Sequence, residues 1–346
     1  MKKYLFLSLM VSFMVGMLIA CGGESSTPTE TSQNKDAGSG EAVENAEPVE
    51  IRFGGGYAAE ETLWLLEIAD DELAPNKGKS YTLNVSQFRA NADRLNAYQA
   101  GQLDAGSLGQ GASMIAHEQG IDLKVVTVLT KDTPNEGFNN AFMALKESGI
   151  ESVEDLKGKT IGISDFRSPA DLWARSAIRS AGLDPDKDVK FAITPIPAMT
   201  EAVKSKRIDV GLFPQPFFAE AEASGEFTTV FTSKTGIPVD EDFLVIFFDP
   251  KFIEENENAV RDFLADYQAV VDYYMENGED ARQMIVDAGK VQADPAIYVG
   301  MTDSNRSAYL DQEGWEKVQE IMVNDGWLDA PFDVNELLDE SYLPEQ

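Results

Sequence analysis

The chain has one cysteine and one histidine in 346 residues. A single cysteine excludes an internal disulfide and every multi-cysteine metal site. The lone His117 sits mid-helix beside Glu118 and reads as a surface or packing residue. One imidazole and one thiol cannot supply a Ser-His-Asp triad, a zinc cluster or a Cys-His pair, so an enzyme is not expected. Basic residues are scarce as well: 28 Lys and Arg stand against 60 Asp and Glu, for a net charge of −32. That balance lacks the basic footprint that nucleic acid requires and favours solubility. With acids so abundant, the spacing of carboxylates carries no signal. Neither a P-loop Lys-Ser/Thr nor G-x-G-x-x-G occurs, and no cofactor is expected.

Long apolar runs are absent except at the start. Lys2 and Lys3 precede "YLFLSLMVSFMVGMLIA", which leads into Cys21. A basic start, an apolar stretch and small residues before a cysteine describe a lipoprotein signal over residues 1–20, with Cys21 lipidated. An uncleaved membrane anchor is the alternative, at the lower length limit for a span. Residues 21–48 are polar and acidic and read as a flexible tether. The expected location is extracytoplasmic, lipid-anchored to a bacterial cell envelope.

Beyond residue 48, strand-like and helix-like segments alternate, which predicts an α/β fold with open, mostly parallel sheets flanked by helices. "SPADLWARSAIRSAGL" carries Ser168 as N-cap and Pro169 at the first helical position. One pattern occurs twice: "AYQAGQLDAGSLG" and "AVKSKRIDVGLFP" each end a helix and enter a short strand. The repetition predicts two similar lobes, with ligand bound outside the carboxyl ends of their strands.

These segments resemble the solute-binding lipoproteins of ABC importers, in the group that captures nitrate, sulfonates, taurine, bicarbonate or thiamine-precursor pyrimidines. The likeness begins near Val49 and rests on four pieces in order: "AYQAGQLDAGSLG", "DLKGKTIG" (Asp155 to Gly162), "AGLDPDKDV" (Ala181 to Val189) and "DVGLFPQP" (Asp209 to Pro216). The resemblance implies a two-lobed periplasmic-binding-protein-like fold with the ligand cleft between lobes. Lobe 1 would comprise residues 49–130 and 237–346, and lobe 2 residues 131–236. It implies a monomer that captures a small molecule by hinge closure and hands it to an ABC permease and its ATPase. A sensor partner of a signalling receptor, or an extracytoplasmic enzyme on the same fold, are the rivals.

Within that frame, "IRFGGGYAAEE" reads as a cleft-lining loop with Gly56 and Tyr57 at the ligand, or as a tight turn without a ligand role. Two glutamates after the glycines disfavour a phosphate. In "QFRANADR", Arg89 is either an anion partner or solvated, and Asn91 replaces the family's usual glycine. Gln110 opens a helix whose N-terminal amides favour negative charge, or serves ordinary capping. Arg167 replaces a second family glycine and Ser168 keeps the family's hydroxyl; Arg167 is suited to a carboxylate or sulfonate, or points to solvent. Phe213 walls the ligand or packs in the core, and Gln215 stands where the family has an acid. Arg89, Arg167 and Gln215 together point to a small organic anion such as a sulfonate or carboxylate; a neutral pyrimidine or other heterocycle is the alternative.

Overall fold

The computed structural model describes residues 47–291 and 293–345. The signal at residues 1–20, Cys21 and the tether through residue 46 lie outside the described residues. Among the described residues, ten strands form two five-stranded sheets. The first contains β1 (Val49–Gly55), β2 (Tyr81–Gln87), β3 (Ala105–Gly109) and β4 (Lys124–Asp132). The second contains β5 (Ala141–Leu145), β6 (Thr160–Ile163), β7 (Lys190–Ile193), β8 (Val210–Phe213) and β9 (Phe227–Thr232). The last strand, β10 (Glu241–Phe248), returns to the first sheet.

The strand orders are β2-β1-β3-β10-β4 and β7-β6-β8-β5-β9. These are the same arrangement twice. In each sheet one strand runs antiparallel to both neighbours: β10 between β3 and β4, and β5 between β8 and β9. Each of those strands is the first formed after the chain passes from one sheet to the other, through residues 133–140 and 233–240.

The motif seen twice in the sequence has a shared structural task. Asp104 precedes β3, and its Oδ2 accepts from the backbone N–H of Arg52 at 2.9 Å. Asp209 precedes β8, and its Oδ2 accepts from the backbone N–H of Thr160 at 2.8 Å. Each aspartate thus pins the start of its strand to the neighbouring β1 or β6. A buried N–H left without such a partner is costly, which explains the acid at both sites.

Helices cover the sheets. They are α1 (Glu61–Ile68), α2 (Asn91–Gln99), α3 (Gln110–Glu118), α4 (Pro169–Ser180), α5 (Met199–Lys204) and α6 (Phe217–Ser224). After β10 come α7 (Pro250–Glu255), α8 (Glu257–Glu276), α9 (Gly278–Asp287), α10 (Pro295–Gly300) and α11 (Gln312–Asn324). In α8 the buried residues Val260, Phe263, Leu264, Tyr267, Val270, Val271 and Tyr274 follow helical spacing and form one apolar face. Phe263 packs edge-on to Tyr81 and Phe248, with ring centroids at 5.6 and 5.5 Å. Among the described residues no helix is long and apolar enough to cross a membrane.

Two elements differ from the expectation. The helical spacing of Leu63, Leu66, Ala69 and Leu73 in "EETLWLLEIADDEL" predicts one helix through the segment, but α1 stops at Ile68. Lys77 Nζ ends it, donating to the carbonyls of Leu66, Glu67 and Ala69 at 2.8, 2.8 and 2.6 Å. An ammonium there satisfies the orphan acceptors of a helix end. Helix α7 was not anticipated, although Asp249 caps it and Pro250 opens it, the same start signal as Ser168–Pro169.

Candidate functional site

A cavity of about 520 Å3 opens between the carboxyl ends of the two sheets. The loops after β1 and β2 supply Gly56, Tyr57, Phe88 and Arg89, and the first residue of α2 (Asn91–Gln99) supplies Asn91. The loops after β6, β7 and β8 supply Ser164, Asp165, Ile196 and Pro214. Helix α4 adds Ser168, Pro169 and Trp173, and β10 adds Phe243 and Leu244. The lining is largely apolar, with a few placed polar groups, as small-molecule sites are.

The three glycines are needed for room, since none has the left-handed backbone that only glycine favours. A Cβ on Gly54 would lie 2.7 Å from Leu103 Cδ1 and 2.8 Å from Arg94 Cγ. On Gly56 it would lie 2.9 Å from Glu60 Oε1 and 3.1 Å from Arg94 Nη2. The bare strand end therefore lies directly on a buried Glu60–Arg94 pair. Arg94 Nη1 donates to the Ser107 carbonyl, and Ser107 Oγ donates to Glu60 Oε1. Burial pushes the Glu60 carboxyl up and the Arg94 guanidinium down, each opposed by the charge of the other. Tyr57 is 47% exposed at the mouth. Ala59 holds a left-handed φ of 60°, with its carbonyl tied to Thr130 Oγ1.

On the opposite wall, Trp173 Nε1 donates to Glu241 Oε1 and Oε2 at 3.1 and 3.0 Å. Its ring centroid lies 5.0 Å from that of Phe243. Glu241 Oε2 also accepts from Lys234 Nζ, which stands 3.8 Å from Asp132 Oδ1. Asn139 Nδ2 donates to that same Oδ1 at 2.7 Å. Lys131 pairs with Asp242 at 3.1 Å. These charges sit where the chain crosses between sheets. Burial pushes the Glu241 and Asp242 carboxyls up, against the pull of Lys234 and Lys131 respectively.

Of the residues singled out in the sequence, Gly56, Tyr57, Arg89, Asn91 and Ser168 share the large cleft. Ser168 Oγ is also the cap of α4, accepting from the Asp171 N–H and donating to the Asp165 carbonyl at 2.7 Å. Arg167 and Gln110 instead line a smaller cavity at the seam where α3 meets α4. Arg167 has φ 56°, a left-handed backbone that glycine adopts most readily. Phe213 is fully buried beside Phe227, centroids 5.3 Å apart. Gln215 is buried and engaged, its Nε2 donating to the Thr302 carbonyl at 2.6 Å and its Oε1 accepting from Ala219 N–H at 3.2 Å. His117 stacks near Phe332 at 4.4 Å, away from the cleft.

The sequence does not mark Arg94, Asp165, Trp173 or Phe243 as site residues, and it marks Glu60 only as a bar to phosphate. Trp173 had a usable signal: it lies four residues after Pro169, on the same helix face, close to a well-marked N-terminus. The Glu60–Arg94 pair had none, because its members meet only after α1 and α2 fold onto β1.

Residues 82–281, more than half of the chain, match the family model described as NMT1/THI5 like. A Brucella abortus protein named only as a binding protein is 25% identical over 242 residues, covering 70% of this chain and 71% of its own. The alkanesulfonate-binding protein SsuA of Xanthomonas axonopodis pv. citri, solved with MOPS bound, is similar at a TM-score of 0.70 and 15% identity, over 85% of this chain and 99% of that one. The periplasmic nitrate-binding protein NrtA of Synechocystis PCC 6803 gives a TM-score of 0.66 at 13% identity, over 86% and 88% of the two chains. Likeness at such low identity establishes the shared fold, and the match over residues 82–281 establishes kinship: the chain belongs to the NMT1/THI5-like family.

Proposed function

We propose that the protein is the substrate-binding component of an ABC importer. It captures a small organic anion, such as a sulfonate or carboxylate, by closing two lobes around it. It then delivers the solute to a membrane permease driven by an ATPase. The chain acts as a monomer outside the cytoplasm, held to the envelope by lipid on Cys21, and performs no covalent chemistry. One observation carries this reading: a cleft of about 520 Å3 lies between two sheets of matching topology, walled by aromatic and proline side chains. The sulfonate- and nitrate-binding proteins named above support it, as does the family match.

Arg89 is the proposed partner of the anion, since it lines the cleft and forms no ion pair among the described residues. Gly56, Tyr57, Asn91 and Ser168 are proposed to line the bound solute with it. Asp165, on the other lobe, repels a second negative charge and so favours a singly charged ligand. A neutral heterocycle is the second reading, favoured by the Trp173, Phe243 and Phe88 walls. Thermal-shift assays with aliphatic and aryl sulfonates, carboxylates and neutral pyrimidines separate the two. The anion reading expects stabilisation by singly charged organic anions that Arg89→Ala reduces. Stabilisation by neutral pyrimidines alone, unchanged in Arg89→Ala, selects the second.

A further inference from the structure

The two lobes can be compared position by position because their sheets repeat one topology. Phe53 pairs with Ala105 in the first sheet, and Ile161 with Val210 in the second. Gly54 and Gly162 follow on the equivalent strands, and a Cβ on either would strike the residues beneath. Under Gly54 these are Leu103 and Arg94, at 2.7 and 2.8 Å; under Gly162 they are Ile208 and Met199, at 2.4 and 2.8 Å. Leu103 and Ile208 are counterparts just before the two motif aspartates. Arg94 and Met199 are therefore counterparts as well. Lobe 2 fills this position with a fully buried methionine, while lobe 1 places a guanidinium there and a glutamate beside it.

The architecture therefore does not need the ion pair. Replacing a buried pair by apolar side chains of similar volume is often neutral or stabilising. A charge kept at a site where the twin lobe is apolar calls for a reason other than folding. Both Arg94 and Glu60 line the ligand cleft. The pair is also incompletely satisfied. Arg94 Nη2 stands 3.9 Å from Glu60 Oε1, beyond hydrogen-bond length, and Arg94 Nε has no partner among the described residues. Its two hydrogen bonds, to Ser107 O and Asn91 Oδ1, both use Nη1. Gly56, which covers Nη2, carries no side chain to block an approach from the cleft.

We propose that Arg94 is a specificity-determining residue: its guanidinium, held by Glu60, donates at the cleft floor to the oxyanion head of the solute. The head group enters first, and the apolar body lies between Phe88 and Trp173. The inference rests on the binding function proposed above and refines it: the anion is read at the floor by Arg94 as well as by Arg89. A planar fork suits sulfonate or carboxylate oxygens.

The test compares the unmodified protein with the double variant Glu60→Gln/Arg94→Met, which recreates the apolar side chain of lobe 2. The probes are 4-toluenesulfonate, 4-toluenecarboxylate and the neutral 4-toluenesulfonamide, read by calorimetric titration, with thermal unfolding of both proteins alongside. The expected result is a double variant that unfolds no earlier than the unmodified protein. It should lose the anions by about thirtyfold or more while any sulfonamide binding changes less than threefold, the range expected when charge-assisted hydrogen bonds are removed. A double variant that fails to fold, or that binds the anions as before, overturns the inference and leaves the function standing. Failure of the unmodified protein to bind either anion overturns both.

Discussion

Trp173, on α4 beside the second sheet, donates its indole N–H to both carboxylate oxygens of Glu241, at the start of β10 in the first sheet. A wall of the cleft is thereby fastened to the segment where the chain crosses between sheets. Lys234 neutralises Glu241 in the same buried site. Removing one partner of such a site leaves an uncompensated buried charge. Lys234→Met is expected to destabilise the protein by about 3–5 kcal/mol. Chemical denaturation checks this, and a loss under 1 kcal/mol would show that the network is not structural.

The seam between lobes offers a steric test of closure. A Cβ on Gly109, at the start of α3, would lie 2.8 Å from Pro169 Cγ at the start of α4. Gly109→Ala should wedge the lobes apart without harming either sheet. Small-angle scattering is expected to give a larger radius for the variant, and solute affinity should fall about tenfold, on the ~1–3 kcal/mol scale of overpacking. An unchanged radius with unchanged affinity would contradict the geometry.

Acidity should stabilise this chain. Burial pushes the Glu61 carboxyl from an ordinary 4.5 up to about 7, with Arg306 opposing the shift. Glu60, Glu241 and Asp242 are raised for the same reason. Between its two values the Glu61 carboxyl holds a proton in the folded state that the unfolded state has released. Its contribution is present below the unfolded value and is lost as pH rises through the folded one. For Glu61 the window runs from 4.5 to about 7. The corresponding change is about 3 kcal/mol. Denaturant midpoints should therefore fall between pH 5 and pH 7.5, and Glu61→Gln should flatten the slope. A midpoint that climbs across this window would refute the assignment.

The repeated aspartate motif predicts a symmetrical effect. Asp209→Ala strands the Thr160 N–H, and Asp104→Ala strands the Arg52 N–H and removes the ion pair with the Arg52 guanidinium. Each should cost about 1–3 kcal/mol. The Asp104 variant should lose more, because Arg52 Nε also donates to that carboxylate at 2.8 Å. A negligible loss at either site in urea unfolding would count against a shared pinning role.

The alternation of elements, the duplicated motif and the start of α4 were legible because each depends on neighbours in sequence. Ser168 and Pro169 state a helix start in two residues, and the structure places it there. Gly54 and Gly56 were visible as a motif, but the reason for them was not: Arg94, far along the chain, needs the space their side chains would fill. Likewise the sequence shows Arg167 as a departure from the resemblance. Its left-handed φ and its place on the seam cavity belong to three dimensions. The spacing of Trp173 from Pro169 puts it near the start of α4, but only its partner Glu241 marks it as a fixed wall.

The most direct measurement is native mass spectrometry of the protein purified from cell extract, with the Arg89→Ala variant beside it. The expected result is a monomer carrying one small organic anion in equimolar amount, recovered intact, and a variant that carries little or none. A protein that emerges without solute after exposure to extract, that retains a neutral solute equally in the variant, or that converts its solute to a product would contradict capture of an anion by a binding protein.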